Sequence, residues 1–198
     1  MRTTILFCVF FALSLSLQAQ LVKKGSSIGV TFSGLGNNDA FYRERLDGAG
    51  GYTGKDYYSL GITYLRPLSN KFDLETGVEY SKYIYSFSNS SLLGFVPRNA
   101  YLSLIEIPVT ARFDFWKYFF LNGGLLLDFD ITKNKDLNNQ TGIGTMLGVG
   151  LKYDFKNTPI GLFVNPYIKY RPFIPLTNAI YHLRTMESGY RMGVVYNF

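Results

Sequence analysis

From Leu102 to Asp130 the chain reads LSLIEIPVTARFDFWKYFFLNGGLLLDFD, two alternating runs joined by a short turn at Trp116-Lys117. On the first run Ile105, Ile107, Val109, Ala111, Phe113 and Phe115 share one face. Leu104, Glu106, Pro108, Thr110, Arg112 and Asp114 share the other. On the second run Phe119, Leu121, Gly123, Leu125, Leu127 and Phe129 alternate with Phe120, Asn122, Gly124, Leu126, Asp128 and Asp130. A period of two is the signature of a strand. One face is almost purely apolar and the other mixes charges, amides and glycine. Sustained over about ten residues a strand, that contrast predicts a transmembrane hairpin with its apolar side toward lipid.

The same period recurs along the chain. It predicts strands over Ser27–Gly34, Asp56–Leu65, Phe72–Phe87, the two runs above, Gly142–Phe155, Ile160–Arg171 and Glu187–Phe198. The links between them alternate in length. Long polar segments, Leu35–Gly54, Ser88–Ala100, Lys133–Thr141 and Pro172–Thr185, follow the odd-numbered strands. Short turns follow the even-numbered ones. The expected fold is therefore all-β: an eight-stranded antiparallel up-and-down transmembrane β-barrel, with short turns on the periplasmic side and long loops outside. Closure is required because a sheet edge in hydrocarbon would leave amides and carbonyls unpaired. Pro108 and Pro166 fall inside predicted strands, where each loses a ladder hydrogen bond and marks a candidate bulge. A soluble eight-stranded barrel is the fold competitor, and it requires the opposite polarity: apolar within, polar outside.

Aromatic residues gather beside the short turns: Tyr64, Phe72, Phe113, Phe115, Trp116, Tyr118, Phe119, Tyr153, Phe155, Tyr196 and Phe198. Tyr58, Tyr80, Tyr170 and Tyr190 are placed to form an opposite girdle at headgroup depth. Lys82 interrupts the apolar face of its strand near the far end, where a long stem snorkels to headgroups.

The ends and the composition narrow the class. Residues 1–19, with Arg2 ahead of the apolar run Ile5–Leu17 and a cleavage site at Leu17-Gln18-Ala19, are expected to be a signal peptide. The barrel domain is then 20–198. The one cysteine, Cys8, lies in the apolar run, so the exported chain uses no disulfides. No apolar run reaches the ~18 residues of a spanning helix. The formal charge of +6 is scattered rather than striped, and nucleic acid is not a reasonable partner for an exported chain.

If Glu106 and its alternates point inward, so do Asp73, Glu75, Glu79, Arg112, Asp114, Asp128, Asp130, Lys152, Asp154, Lys169, Arg171 and Arg191. An eight-stranded barrel is just wide enough for side chains to fill, and charges there must be paired or hydrated. The expectation is an interlocked plug of ion pairs; a narrow path for protons or small solutes is the alternative. Gly144, Gly148, Gly150, Gly161 and Gly193 leave room for long side chains or for water.

Catalytic chemistry finds little support. His182 is the one histidine, and Ser188 lies six residues along, about 20 Å in extended chain, too far for a nucleophile and its base. No Cys/His cluster marks a zinc site, and Asp39, Glu44 and Asp47 lack calcium-loop spacing. The glycines at 48, 50, 51 and 54 lack the Lys-Ser/Thr of a phosphate loop. No cofactor is expected and the chain is read as a non-enzyme; a lipid A-modifying enzyme is the remote alternative.

The signal peptide, the Leu104-Ile105-Glu106-Ile107-Pro108-Val109 segment entering a long strand, the glycine-rich later strands and the terminal Phe198 together resemble the PorT-like outer-membrane β-barrel family of Bacteroidetes. The resemblance spans nearly the whole exported chain. It implies an outer-membrane location among lipid and lipopolysaccharide, insertion by the barrel-assembly machinery reading the terminal aromatic, and contacts with envelope or secretion-system proteins. The expected role is a scaffold that presents loops for adhesion, secretion or envelope integrity. Within the first long segment Phe41, Tyr42, Arg43, Arg45 and Tyr52 are the candidate partner-contact residues, aromatics interleaved with charge.

Overall fold

The computed structural model describes residues 25–42, 51–88, 98–133, 137–177 and 182–198. The expected signal peptide, 1–19, lies outside them. Eight strands follow in order: β1 (Ser27–Tyr42), β2 (Gly51–Pro67), β3 (Phe72–Ser88), β4 (Arg98–Asp114), β5 (Phe119–Asp130), β6 (Gly142–Asp154), β7 (Ile160–Pro175) and β8 (Leu183–Asn197). Each pairs antiparallel with its sequence neighbours, and β1 closes onto β8. The up-and-down closed barrel is thus the observed fold, and no sheet edge is left over.

Polarity is inside out. Val30, Ile62, Val78, Leu125, Leu147 and Ile168 stand half exposed on the exterior. Glu75, Glu106, Asp128, Lys169, Arg171 and Arg191 are fully buried within. A soluble barrel would pay heavily for both, whereas a lipid-spanning barrel needs both. Around the short-turn rim the exterior rings touch in sequence. Phe72 packs on Phe113 at 4.8 Å, Trp116 on Phe119 at 5.5 Å, and Tyr153 on Phe155 at 5.1 Å between ring centres.

Several strands run further outward than alternation predicted. Leu35–Gly54 is not one loop, because β1 continues to Tyr42 and β2 begins at Gly51. The reason is a register shift between Gly34 and Asn37, with Leu35 in the left-handed region at φ 57°. One extra residue flips the inward set from Ser27, Thr31 and Ser33 to Asn38 and Ala40, so the sequence pattern looks broken where the strand continues. A second shift between Gly54 and Asp56 does the same to β2. Likewise β3 reaches Ser88, β4 starts at Arg98, β7 reaches Pro175 and β8 starts at Leu183, trimming the second and fourth predicted loops.

The two prolines do not bulge. Thr76 pairs with Val109 and Glu79 with Glu106, the same register on both sides of Pro108. Gly148 pairs with Tyr167 and Leu151 with Val164, again unchanged across Pro166. Each proline interrupts the ladder on one side only. The third shift falls instead between Ile143 and Thr145 on β6, opposite the Pro172 end of β7.

Candidate functional site: the filled lumen

The lumen is packed in three layers. The layer nearest the short turns is aromatic and cationic. Leu65, Phe120, Phe163 and Val195 form a buried cluster, and the Arg112 guanidinium lies 3.6 Å over the Phe120 ring and 5.7 Å from Phe163. Glycines make this possible: a Cβ at Gly150 would come within 2.2 Å of the Phe120 ring, and one at Gly193 within 2.4 Å of Phe163. Below, a cleft of about 40 Å³ opens between Asp73, Arg112, Lys152 and Asp154. Arg112 sits 3.6 Å from Asp114, which also pairs with Lys152.

The middle layer is an ionic mesh. Arg191 donates to Glu75 at 2.5 Å and reaches Glu79 at 3.2 Å. Lys169 donates to Glu79 at 3.1 Å and to Glu106 at 2.9 Å. Arg171 grips both oxygens of Glu106, each at 3.2 Å, and donates to Glu187 at 3.1 Å. Hydroxyls complete the acids: Ser81 donates to Glu106, and Tyr83 (2.6 Å) and Tyr167 donate to Glu187. Asn165 donates to Asn122 at 2.7 Å beneath this mesh. In a ring of eight, β3 and β4 face β7 and β8, so the bonds of Arg191, Lys169 and Arg171 to Glu75, Glu79 and Glu106, and of Tyr83 to Glu187, tie opposite walls together. Such groups are tolerable away from water only when nearly every charge finds a partner.

The outermost layer is an apolar plug of Ala40, Tyr57, Tyr83, Tyr85, Ala100, Leu102, Leu104, Leu137 and Leu183, with Tyr42 and Tyr52 packed against it. Leu137, five residues ahead of β6, is buried in this plug. Gln140 holds the approach to β6, donating its side-chain amide to the Leu183 carbonyl at 3.1 Å and its N–H to Asp130 at 2.9 Å.

The charged residues named from sequence therefore separate. Glu75, Glu79, Glu106, Asp128, Lys169, Arg171 and Arg191 meet in the middle layer; Asp73, Arg112, Asp114 and Lys152 gather at the inner mouth. Asp154 is exposed at that mouth, where it accepts from Asn197 at 3.4 Å. Asp130 is drawn outward to hold the loop, also accepting the Thr132 N–H at 2.9 Å. Glu187 was missed, though it shares parity with Arg191 on β8 and its period-two spacing was available. Tyr83 and Tyr85 were missed too, and share parity with Glu75 and Glu79.

The proposed partner loop also divides. Phe41, Tyr42 and Tyr52 are strand residues, the first exposed and the other two turned onto the plug. Arg43 and Arg45 lie outside the described residues. His182 precedes β8, and Ser188 sits up that strand, so they remain about 20 Å apart in extended geometry. Among the described residues no group of three His, Cys, Asp or Glu side chains is placed to hold a metal ion.

No protein-family model matches this chain, and no curated protein does. Solved structures do resemble it. The solid-state NMR structure of outer membrane protein AlkL in DMPC bilayers shares 16% identity over 89% of this chain and 92% of that one, with a TM-score of 0.54. The N-terminal β-barrel domain of Pseudomonas aeruginosa OprF shares 18% identity over 88% of this chain and 98% of its own, with a TM-score of 0.42. At such identities the likeness to AlkL extends to the fold.

Proposed function

We propose that this chain is an outer-membrane barrel with a closed lumen, acting as a rigid scaffold that holds its outer strand ends and loops for adhesion or secretion-associated contacts in the envelope. The observation that carries this reading is the cross-wall mesh of Glu79, Glu106, Glu187, Lys169 and Arg171, lying between the apolar plug and the Arg112–Phe120 stack. Any solute would have to displace paired charges and both flanking layers. Transport energetics argue against that, and a scaffold gains from it, because walls cross-linked through the centre resist deformation. The PorT-like resemblance, the location in an outer membrane and contacts with envelope proteins are parts of this proposal.

The test is single-channel recording in planar bilayers with the folded mature chain. Silence from preparations that show heat-modifiable gel mobility is the expected result. Steady unitary currents would overturn the closed-lumen reading in favour of a narrow pore.

A further inference from the structure

On the outer face of β2–β4 the apolar belt ends along one row of paired residues, Tyr58–Lys82–Ser103. Beneath the row stand Leu60, Tyr80 and Ile105; above it stand Asp56, Ile84 and Tyr101, then Ser86 and Asn99. Lys82 lies about 25 Å above Phe72 along the barrel axis, for ~3.3 Å per residue and strands tilted ~40°. That is the height of the apolar band of such barrels, so the row marks the outer headgroup boundary.

Two ammonium groups lie above this row. Lys82 Nζ lies 6.0 Å from the centre of the Tyr101 ring. Lys55, at the extra residue of the β2 shift, reaches across β3 and donates to the Asn99 side chain at 3.4 Å. Asn99 and Tyr101 are consecutive outward positions of β4, about 7 Å apart. Two lysines from different strands therefore lean onto neighbouring points of a third, at the boundary where lipid phosphates lie. The acid in this patch, Asp56, accepts the Tyr57 N–H at 2.8 Å. Tyr58 and Ser103 place hydroxyl-bearing side chains on the row just below.

We propose that Lys55 and Lys82, with the Tyr101 face between them, form a binding site for the phosphate of a lipid A molecule in the outer leaflet. The acyl chains then lie on the apolar surface below, along Leu60, Ile62, Val78 and Ile105. Charge complementarity to an anionic leaflet and the position at the end of the belt select this occupant. Each lysine near an anionic surface adds its own attraction, so removing both is expected to weaken retention about 30-fold. The site rests on the outer-membrane reading of the barrel.

The experiment is native mass spectrometry of the mature chain released from phosphatidylcholine nanodiscs doped with bisphosphorylated lipid A, dephosphorylated lipid A or phosphatidylglycerol. The wild type is expected to retain one phosphorylated lipid A. Lys55→Gln with Lys82→Gln loses it, Lys82→Arg keeps it, and Lys71→Gln with Lys117→Gln at the short-turn end has no effect. Equal retention by the double variant, or of dephosphorylated lipid A by the wild type, overturns the site. Phosphatidylglycerol held as firmly as lipid A overturns the choice of lipid. A photo-crosslinker at Ile84 of the wild type provides a readout free of the lysine changes and must capture phosphorylated lipid A. Failure of the wild type to enter nanodiscs at all would instead count against the membrane reading itself.

Discussion

Glu106 accepts from Lys169, from both arms of Arg171 and from Ser81, which makes it the carboxylate on which the middle layer depends. Glu106→Ala leaves two buried cations short of a partner and is expected to cost about 3–5 kcal/mol, read as a lower urea midpoint for unfolding in lipid vesicles. Asp128 behaves differently. Among the described residues its two oxygens have no hydrogen-bond partner, and the nearest cationic atom is Arg171 Nε at 3.9 Å. Among the described residues the buried acids Asp73, Glu75, Glu79, Glu106, Asp128 and Glu187 outnumber the buried bases Arg112, Lys169, Arg171 and Arg191, six to four. Asp128→Asn removes one surplus charge at constant shape, so the same urea titration should show unchanged or raised stability. A loss as large as that of Glu106→Ala would contradict this division of roles. Gly150→Val places a branched side chain where Phe120 already lies and is expected to cost about 1–3 kcal/mol through overpacking.

At the scale of the strand, the register shift in β1 does the work that a loop was expected to do. Deleting Leu35 removes the extra residue, so that plain alternation from Ser33 carries Asn38 and Ala40 to the lumen and keeps Asp39 and Phe41 outside. The expected outcome is a barrel that still inserts and whose outer β1–β2 end resists externally added protease as the wild type does; a newly cleavable end would show that the bulge geometry itself, beyond the facing it sets, is required. This is also where sequence legibility ended. The strands between the aromatic rim and the headgroup row were legible, because lipid on one side and packed charge on the other enforce a strict period of two. Beyond the belt the lumen side turns onto the apolar plug while the outer side meets polar surroundings, so Asn38, Asp39 and Ala40 do not continue the belt's contrast. The inward charges Glu75, Glu79, Glu106 and Arg191 followed from parity alone. Their partners did not, since pairing Lys169 with Glu79 or Arg171 with Glu187 depends on how the ring closes. Pro108 and Pro166 misled in the opposite sense: each sits where its missing N–H breaks one ladder, and the register passes through unchanged.

For the molecule as a whole, a hydrocarbon-facing exterior and a charged, cross-linked interior are one design, each tolerable because of the other. A sheet with no edge confines its unpaired chemistry to the centre, and the central ion pairs hold the closed wall in shape. Opposite strands thus act as one body, which is what the proposed scaffold requires. Because Cys8 is the chain's one cysteine and lies within 1–19, a chain expressed from residue 20 offers a cysteine-free background for mapping this polarity. The most direct measurement is accessibility of single spin-labelled cysteines at Val30, Ile62 and Val149, compared with Ser81, in reconstituted vesicles. The account predicts that the first three collide with lipid-dissolved oxygen and not with an aqueous nickel chelate, while the fourth meets neither. A mature chain that stays monomeric without detergent, with Val30, Ile62 and Val149 shielded and Ser81 open to the chelate, would contradict it.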